Sequence, residues 1–255
     1  MSTQPTLDEY RDDYEYADLE RNDGVLEVTL NTDGDELVWG FEPHHELGYL
    51  FAEIRADTEN EVVIITGAGE NFIAEEDLAN KVPDPQDWLQ VIEDAKRLAY
   101  NQLEIPAPMI AAVNGDALVH SEIALYCDIV LCAEDAHFQD KPHYNDGLVP
   151  GDGVQVIYPM LLGINRGRYF LLTGEKLSAQ EAKDLGLVAE VMPREELLPR
   201  AHELADTLLE RAPMTVRLTR EAILKELKAR TRDNLVHGLA LEGLAAMDDW
   251  PAFEA

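Results

Sequence analysis

The chain is poor in cysteine, in lysine and in long apolar runs. Its 255 residues include two cysteines, Cys127 and Cys132, both in the apolar run CDIVLC. Five apart on a strand, such side chains point to opposite faces, so two reduced core thiols are expected rather than a disulfide. Neither C-x-x-C nor a Cys/His zinc spacing occurs. No apolar run approaches the ~18 residues of a membrane span, and no basic segment leads into a short apolar stretch near the start, so a cytoplasmic protein is expected. Cations are the largest deficit: 51 Asp and Glu face 20 Lys and Arg, a formal charge of −31, and only seven of the cations are lysines. A polyanion would be repelled over most of this surface, which excludes nucleic acid as main partner. Anionic membrane is disfavoured for the same reason. Many carboxylates with few lysines is the pattern of proteins working in concentrated salt, where a Debye length of ~3 Å screens self-repulsion. The acidic start, Asp8 to Glu20, is read as solvated surface.

What is present is globular. Hydrophobic residues make up 46% of the chain, enough for one large α/β domain. Strands are predicted at Gly24–Asn31, Glu61–Thr66, Met109–Asn114, Cys127–Cys132 and Val188–Met192. The first alternates with period two; the others are nearly continuous apolar runs, as in strands covered on both faces. Helices are predicted at Pro43–Arg55, Gln86–Leu103, Arg166–Thr173, Ala179–Leu185, Glu195–Arg211, Met214–Ala229 and Arg232–Met247. In Leu235–Met247 only His237 and Glu242 are strongly polar, so this helix must be covered on nearly every side, and a neighbouring subunit is a natural cover. Glu242 shares a stripe with Leu235, Leu239 and Ala246, where a buried carboxylate is costly unless paired or neutralised.

Three segments together resemble the crotonase, or enoyl-CoA hydratase/isomerase, superfamily. They are VVIITGAGENFIAEEDL (Val62–Leu78), PMIAAVNGDALVHSEIALYCDIVLCAEDAHF (Pro108–Phe138) and GEKLSAQEAKDLGLVAEVMPREELLPRA (Gly174–Ala201). The resemblance implies a spiral of ββα units over residues 1–190, a helical trimerisation region over 191–255, and a homotrimer or dimer of trimers. The departures bear on function. In coenzyme A-dependent members two backbone N–H groups, from an A-G-x-D loop and a G-G-G turn, hold the thioester oxygen. Here the loop reads Ala74-Glu75-Glu76-Asp77 and the turn Leu118-Val119-His120, whose bulky residues restrict positive φ and close substrate approach. Of two hydratase glutamates one aligns with Glu122, and His143 holds the place of the other.

These changes resemble the branch of cyclic β-diketone hydrolases typified by 6-oxocamphor hydrolase, chiefly through His143–Gly174 with its P-G-D-G and N-R-G-R-Y-F-L-L-T-G. That branch's working residues map onto Trp39, His120, His143, Asp152 and Glu242. The reaction implied is a cofactor-independent retro-Claisen cleavage of a small ketone substrate: water attacks one carbonyl, the C–C bond breaks, and an enolate is released and protonated. No metal or organic cofactor is required, because the second carbonyl is the electron sink. On this mapping Asp152 orients His143 as general base. Trp39 and His120 hold the other carbonyl oxygen, and Glu242 orients or charges His120. Three other readings stay open at this point: a coenzyme A hydratase or isomerase keeping Glu122, a catalytically silent scaffold, and a metal cluster of Asp140, His143, Asp146 and Asp152, which lacks a specific ligand spacing. His44, His45, His137, His202 and His237 receive no task.

Overall fold

Two apolar runs, Val62–Gly67 and Met109–Val113, lie side by side at the centre of a six-stranded sheet. The computed structural model describes residues 4–77, 85–143 and 147–249. Its elements begin with α1 (Leu7–Tyr10), β1 (Ala17–Asn22), β2 (Val25–Leu30), β3 (Val38–Trp39), α2 (Phe41–Ala56), β4 (Val62–Gly67), β5 (Glu75–Glu76) and α3 (Pro85–Glu104). Then come β6 (Met109–Val113), α4 (Glu122–Leu125), β7 (Ile129–Ala133), β8 (His137–Phe138), α5 (Val154–Leu162) and α6 (Ile164–Thr173). The chain continues through β9 (Leu177–Ser178), α7 (Ala179–Asp184), β10 (Glu190–Met192), α8 (Arg194–Leu209) and α9 (Pro213–Asp249).

The sheet order is β1-β2-β4-β6-β7-β10. Only the β1–β2 pair is antiparallel; the other pairs are parallel. Period-two alternation within the apolar runs serves two cores. Val63, Ile65, Met109, Ala111 and Val113 face the main core with α2 and α3. Val62, Ile64, Ile110 and Ala112 face Leu197, Ala201 and Ala205 of α8. The fold is the crotonase-like α/β architecture. Two short ladders stand off the sheet, β3 parallel to β5 and β8 antiparallel to β9; the first presents Trp39.

Three expectations change. The two predicted C-terminal helices are one, α9, because nothing between Ala229 and Arg232 breaks a helix and buried Lys228 and Thr231 anchor its middle. Cys127 precedes β7 rather than opening it; both cysteines are buried and free. The acidic start is not all solvated surface: Leu7 and Tyr10 are buried, and β1 pairs along its length with β2.

Helix α9 delivers Glu242. Its stripe of Leu235, Leu239, Glu242 and Ala246 is buried, while Val236, Leu241, Leu244 and Met247 are exposed on the same helix. The approach depends on glycine facing glycine: a Cβ on Gly238 would stand 2.4 Å from the carbonyl oxygen of Gly151. The Trp88 indole N–H, from α3, donates to the Leu239 carbonyl at 2.9 Å. Among the described residues no helix is long and apolar enough to cross a membrane.

Candidate active site

Trp39, His120, His143, Asp152 and Glu242 come from five separate places in the chain and line one cavity of about 50 Å³. Trp39 sits on β3, which pairs with Glu75–Glu76 of the substituted loop. His120 lies in the turn between β6 and α4 and has φ +45°, a conformation rarely seen outside glycine and costing of order 1–3 kcal/mol. The replaced glycine turn therefore keeps left-handed backbone even with an imidazole attached. Strain of this kind persists where surrounding contacts over-determine it, and here the ring stacks on Trp39 with centroids 4.0 Å apart and planes 30° apart. His143 follows Pro142 in the loop after β8, and Asp152 precedes α5, where Oδ1 accepts from the Val154 N–H at 3.4 Å.

The predicted pairings are rearranged. His143 Nδ1 lies 2.5 Å from Asp140, not Asp152. Its Nε2 faces Asp152 at 3.7 Å and Glu242 at 3.6 Å, separations too long for direct hydrogen bonds. His120 Nδ1 bonds Glu122 at 2.7 Å, so Glu122 takes the partnership expected of Glu242. Asp152 Oδ2 stands between the two imidazoles, 3.2 Å from His120 Nδ1, with hydrogen-bond geometry to neither. The physical reason is local: Asp140 and Glu122 are three and two residues from their histidines, so short loops hold each pair within reach.

Burial sharpens the electrostatics. Desolvation works against charge on His143, but Asp140, Asp152 and Glu242 together hold its pKa well above the ordinary histidine value. His120 follows the same logic, with Glu122 and Asp152 outweighing burial to place it at about 9. Burial pushes Glu122 up to about 7, with the Asp152 charge adding to the shift. Burial likewise raises Glu242, against the pull of His143. Asp152 goes the other way: burial is overcome by His143 and then His120, and it stays ionised. The site thus holds a firm anion, Asp152, beside two carboxyls, Glu122 and Glu242, that burial makes weaker acids.

His44 joins these residues without having been marked in the sequence. It sits on α2 just after Trp39, its ring centroid 5.5 Å from Trp39 and 5.6 Å from His120. Burial, followed by the nearby His120, drives its pKa down to about 3, so it is a neutral imidazole, with Nε2 unpartnered among the described residues. Its signal was a histidine five residues after the site tryptophan at a helix start. The signal for Asp140 was the D-K-P-H spacing. Phe41, His44 and Val91 separate the cavity from an open groove of about 660 Å³ between α2 and α3. That groove is larger, but the convergent polar groups line the smaller space.

His120, Glu122 and Asp152 bring potential ligand atoms within 4.8 Å of one another, the one such group among the described residues. The imidazole nitrogen they share is already engaged with Glu122 at 2.7 Å, which fits an N–H donor better than a metal ligand. Asp140, His143 and Asp152 of the alternative cluster are spread around both ring nitrogens of His143; Asp146 lies outside the described residues.

The enoyl-CoA hydratase/isomerase family profile matches residues 20–243. A short-chain enoyl-CoA hydratase of Clostridium acetobutylicum is 33% identical over 213 residues, covering 80% of this chain and 79% of that one. Carnitinyl-CoA dehydratase of Escherichia coli is 33% identical over 225 residues, covering 84% and 80%. Among solved structures, a β-diketone hydrolase from the cyanobacterium Anabaena sp. PCC 7120, bound to (S)-3-oxocyclohexyl acetic acid, is 44% identical and superposes with a TM-score of 0.92 over 94% of this chain and 97% of that one. With the profile spanning sheet, site turn and most of α9, the chain belongs to the enoyl-CoA hydratase/isomerase, or crotonase, superfamily.

Proposed function

We propose that the protein hydrolyses a carbon–carbon bond of a cyclic β-diketone, giving a keto acid without a cofactor. The observation that carries this reading is a pair of buried histidine–carboxylate couples, His143–Asp140 and His120–Glu122, facing one cavity with Asp152 between them. His143, held at Nδ1, offers Nε2 to deprotonate a water as its oxygen bonds to one carbonyl carbon. Collapse of the adduct breaks the C–C bond, and the electron pair moves into the second carbonyl as an enolate. Protonated His120, the Trp39 indole N–H and neutral His44 stabilise that charge; Glu242, whose carboxyl burial makes a weaker acid than an exposed one, supplies the proton. Water and diketone sum to keto acid, with nothing left over. Admission of a ring to so small a cavity requires Phe41, His44 or Val91 to give way toward the groove.

The altered turn weighs against a thioester enzyme. The Leu118 and Val119 N–H groups of the altered turn donate to the Ile73 carbonyl at 2.9 and 3.2 Å, so this turn does not offer them to a substrate oxygen. The likeness to the Anabaena hydrolase supports the same direction. The exposed apolar side chains of α9 support assembly as a homotrimer or dimer of trimers. The deciding experiment incubates the protein in high salt with a panel of cyclic 1,3-diketones and with crotonyl-CoA. Turnover of a diketone to its keto acid is expected; crotonyl-CoA hydration at ordinary rates with every diketone inert would establish the coenzyme A reading instead.

A further inference from the structure

On its inner side His120 borders a second, smaller cavity of about 10 Å³. Besides His120, four elements contribute polar groups to it: His44 from α2, Gln102 from α3, Glu122 and Tyr126 from α4 and its cap, and Asp152 from the turn before α5. Glu122 Oε2, Gln102 Oε1 and the Tyr126 hydroxyl are all buried and none has a well-formed protein hydrogen bond among the described residues, the hydroxyl having the Thr231 side chain beside it. Gln102 is fixed by its amide N–H donating to the Ile123 carbonyl at 2.6 Å. The tyrosine hydroxyl is pressed under the Asp152–Gly153 turn: Gly153 has φ +133°, and a Cβ there would meet that oxygen at 2.2 Å. Unpaired buried polar atoms are expensive. A space of ~10–15 Å³ with two to four polar partners suits one water.

This inner wall bears on how the two histidines share Asp152. His120 Nδ1 already lies 3.2 Å from Asp152 Oδ2 and 2.7 Å from Glu122. A small rotation of the ring would turn its N–H from Glu122 to Asp152 and tie up the carboxylate that faces His143 Nε2. We propose that Glu122 is a positioning residue for His120, holding Nδ1 through one carboxylate oxygen while Tyr126 and Gln102 brace the other through a single buried water. The inference rests on the hydrolase reading for its catalytic meaning, since it assumes that His120 Nε2 faces the substrate. Held this way, His120 presents Nε2 to the substrate cavity and leaves Asp152 to the water-activating side. A glutamate at the position where coenzyme A enzymes carry one is thus turned inward to serve a histidine.

The test uses the full-length protein with ¹⁵N-labelled histidine, and two variants, Glu122→Gln and Tyr126→Phe. His120→Ala identifies the His120 resonances. The wild type is expected to show a strongly hydrogen-bonded Nδ1 proton on His120, which Glu122→Gln abolishes or moves markedly upfield while the His143 signal stays. In steady-state assays kcat should fall by ~10²-fold or more with KM changed little, since an orienting carboxylate beside a catalytic imidazole is worth up to ~10⁴-fold. Tyr126→Phe removes one hydroxyl and keeps the ring; it should shift the same Nδ1 resonance and lower kcat several-fold, and it carries the test if Glu122→Gln does not fold. An unchanged His120 signal in a folded variant overturns the proposal. The spectra need no substrate, so a failure of all diketones to react would sink the hydrolase reading while the pairing is still decided.

Discussion

Asp140, three residues before His143, holds the Nδ1 of that histidine at 2.5 Å, while Asp152 faces its opposite nitrogen at 3.7 Å. One imidazole is therefore gripped from behind by one aspartate and met in front by another. On the proposed mechanism the first fixes the tautomer and the second stands beside the attacking water.

If His143 is the base of the proposed hydrolysis, removing it should remove the chemistry. His143→Ala is expected to lower kcat by ~10²–10⁴-fold, the usual worth of general-base catalysis. Asp140→Asn should lower it too, because an amide can hold the wrong tautomer and cannot balance an imidazolium. The His143→Ala/Asp140→Asn double variant should be little worse than His143→Ala, as residues acting as a unit are strongly non-additive. Additive losses, measured as kcat on the same diketone, would show that the two do not work as a pair.

The pH profile follows from the same contacts. A base must be neutral, so activity rises as His143 loses its proton. Because Asp140, Asp152 and Glu242 outweigh burial and raise its pKa, the acidic limb of kcat/KM should lie above the ~6.5 of an ordinary histidine. Asp140→Asn deletes the strongest of those three carboxylate contributions, and the limb should move toward lower pH in whatever activity remains. A limb that stays in place, or moves upward, would mean that another group controls it.

Much of this was legible in the sequence. Unbroken apolar runs at Val62–Gly67 and Met109–Val113 specified strands buried on both faces because period-two alternation gives each face its own apolar set. The stripe of Leu235, Leu239, Glu242 and Ala246 placed Glu242 inside, since helical spacing fixes which residues share a face. Partnership was not legible. Which carboxylate meets which ring nitrogen depends on loop conformation, and the choice of Asp140 over Asp152 turns on a bend of a few residues around Pro142. His44 was hidden for another reason: it takes its meaning only from the rings of Trp39 and His120 packed near it, a juxtaposition absent from any spacing.

The exposed side of α9 and the net charge make a joint prediction about assembly. Leu244 and Met247 are 66% and 56% exposed on a helix whose opposite face is core. Leu244→Glu should shift a trimer or hexamer toward monomer in light scattering at high salt, with little loss of secondary structure. Dilution of the wild type into low-salt buffer should dissociate or unfold it as 31 uncompensated negative charges lose their screening. A wild-type monomer in high salt would sink the assembly, and equal stability in dilute buffer would sink the salt adaptation.

The contact between Gly151 and Gly238 offers the sharpest structural test. Gly238 lies four residues, about one turn, before Glu242, so whatever sets the distance there sets how far Glu242 reaches toward His143. Alanine in a helix interior is worth ~1 kcal/mol over glycine, and by that measure Gly238→Ala should stabilise. Its Cβ, however, would stand 2.4 Å from the Gly151 carbonyl oxygen, a backbone atom in the same turn as Asp152. Relieving such a clash typically costs ~1–3 kcal/mol, so the packing loss wins and the melting temperature should fall. Relief moves α9 away from the loop, carrying Glu242 off the 3.6 Å approach to His143 Nε2. Gly238→Ala should therefore lower kcat as Glu242→Gln does, and the two changes combined should cost little more than either alone. A Gly238→Ala protein that melts at or above the wild-type temperature and keeps full kcat would show that this glycine does not set the reach of Glu242.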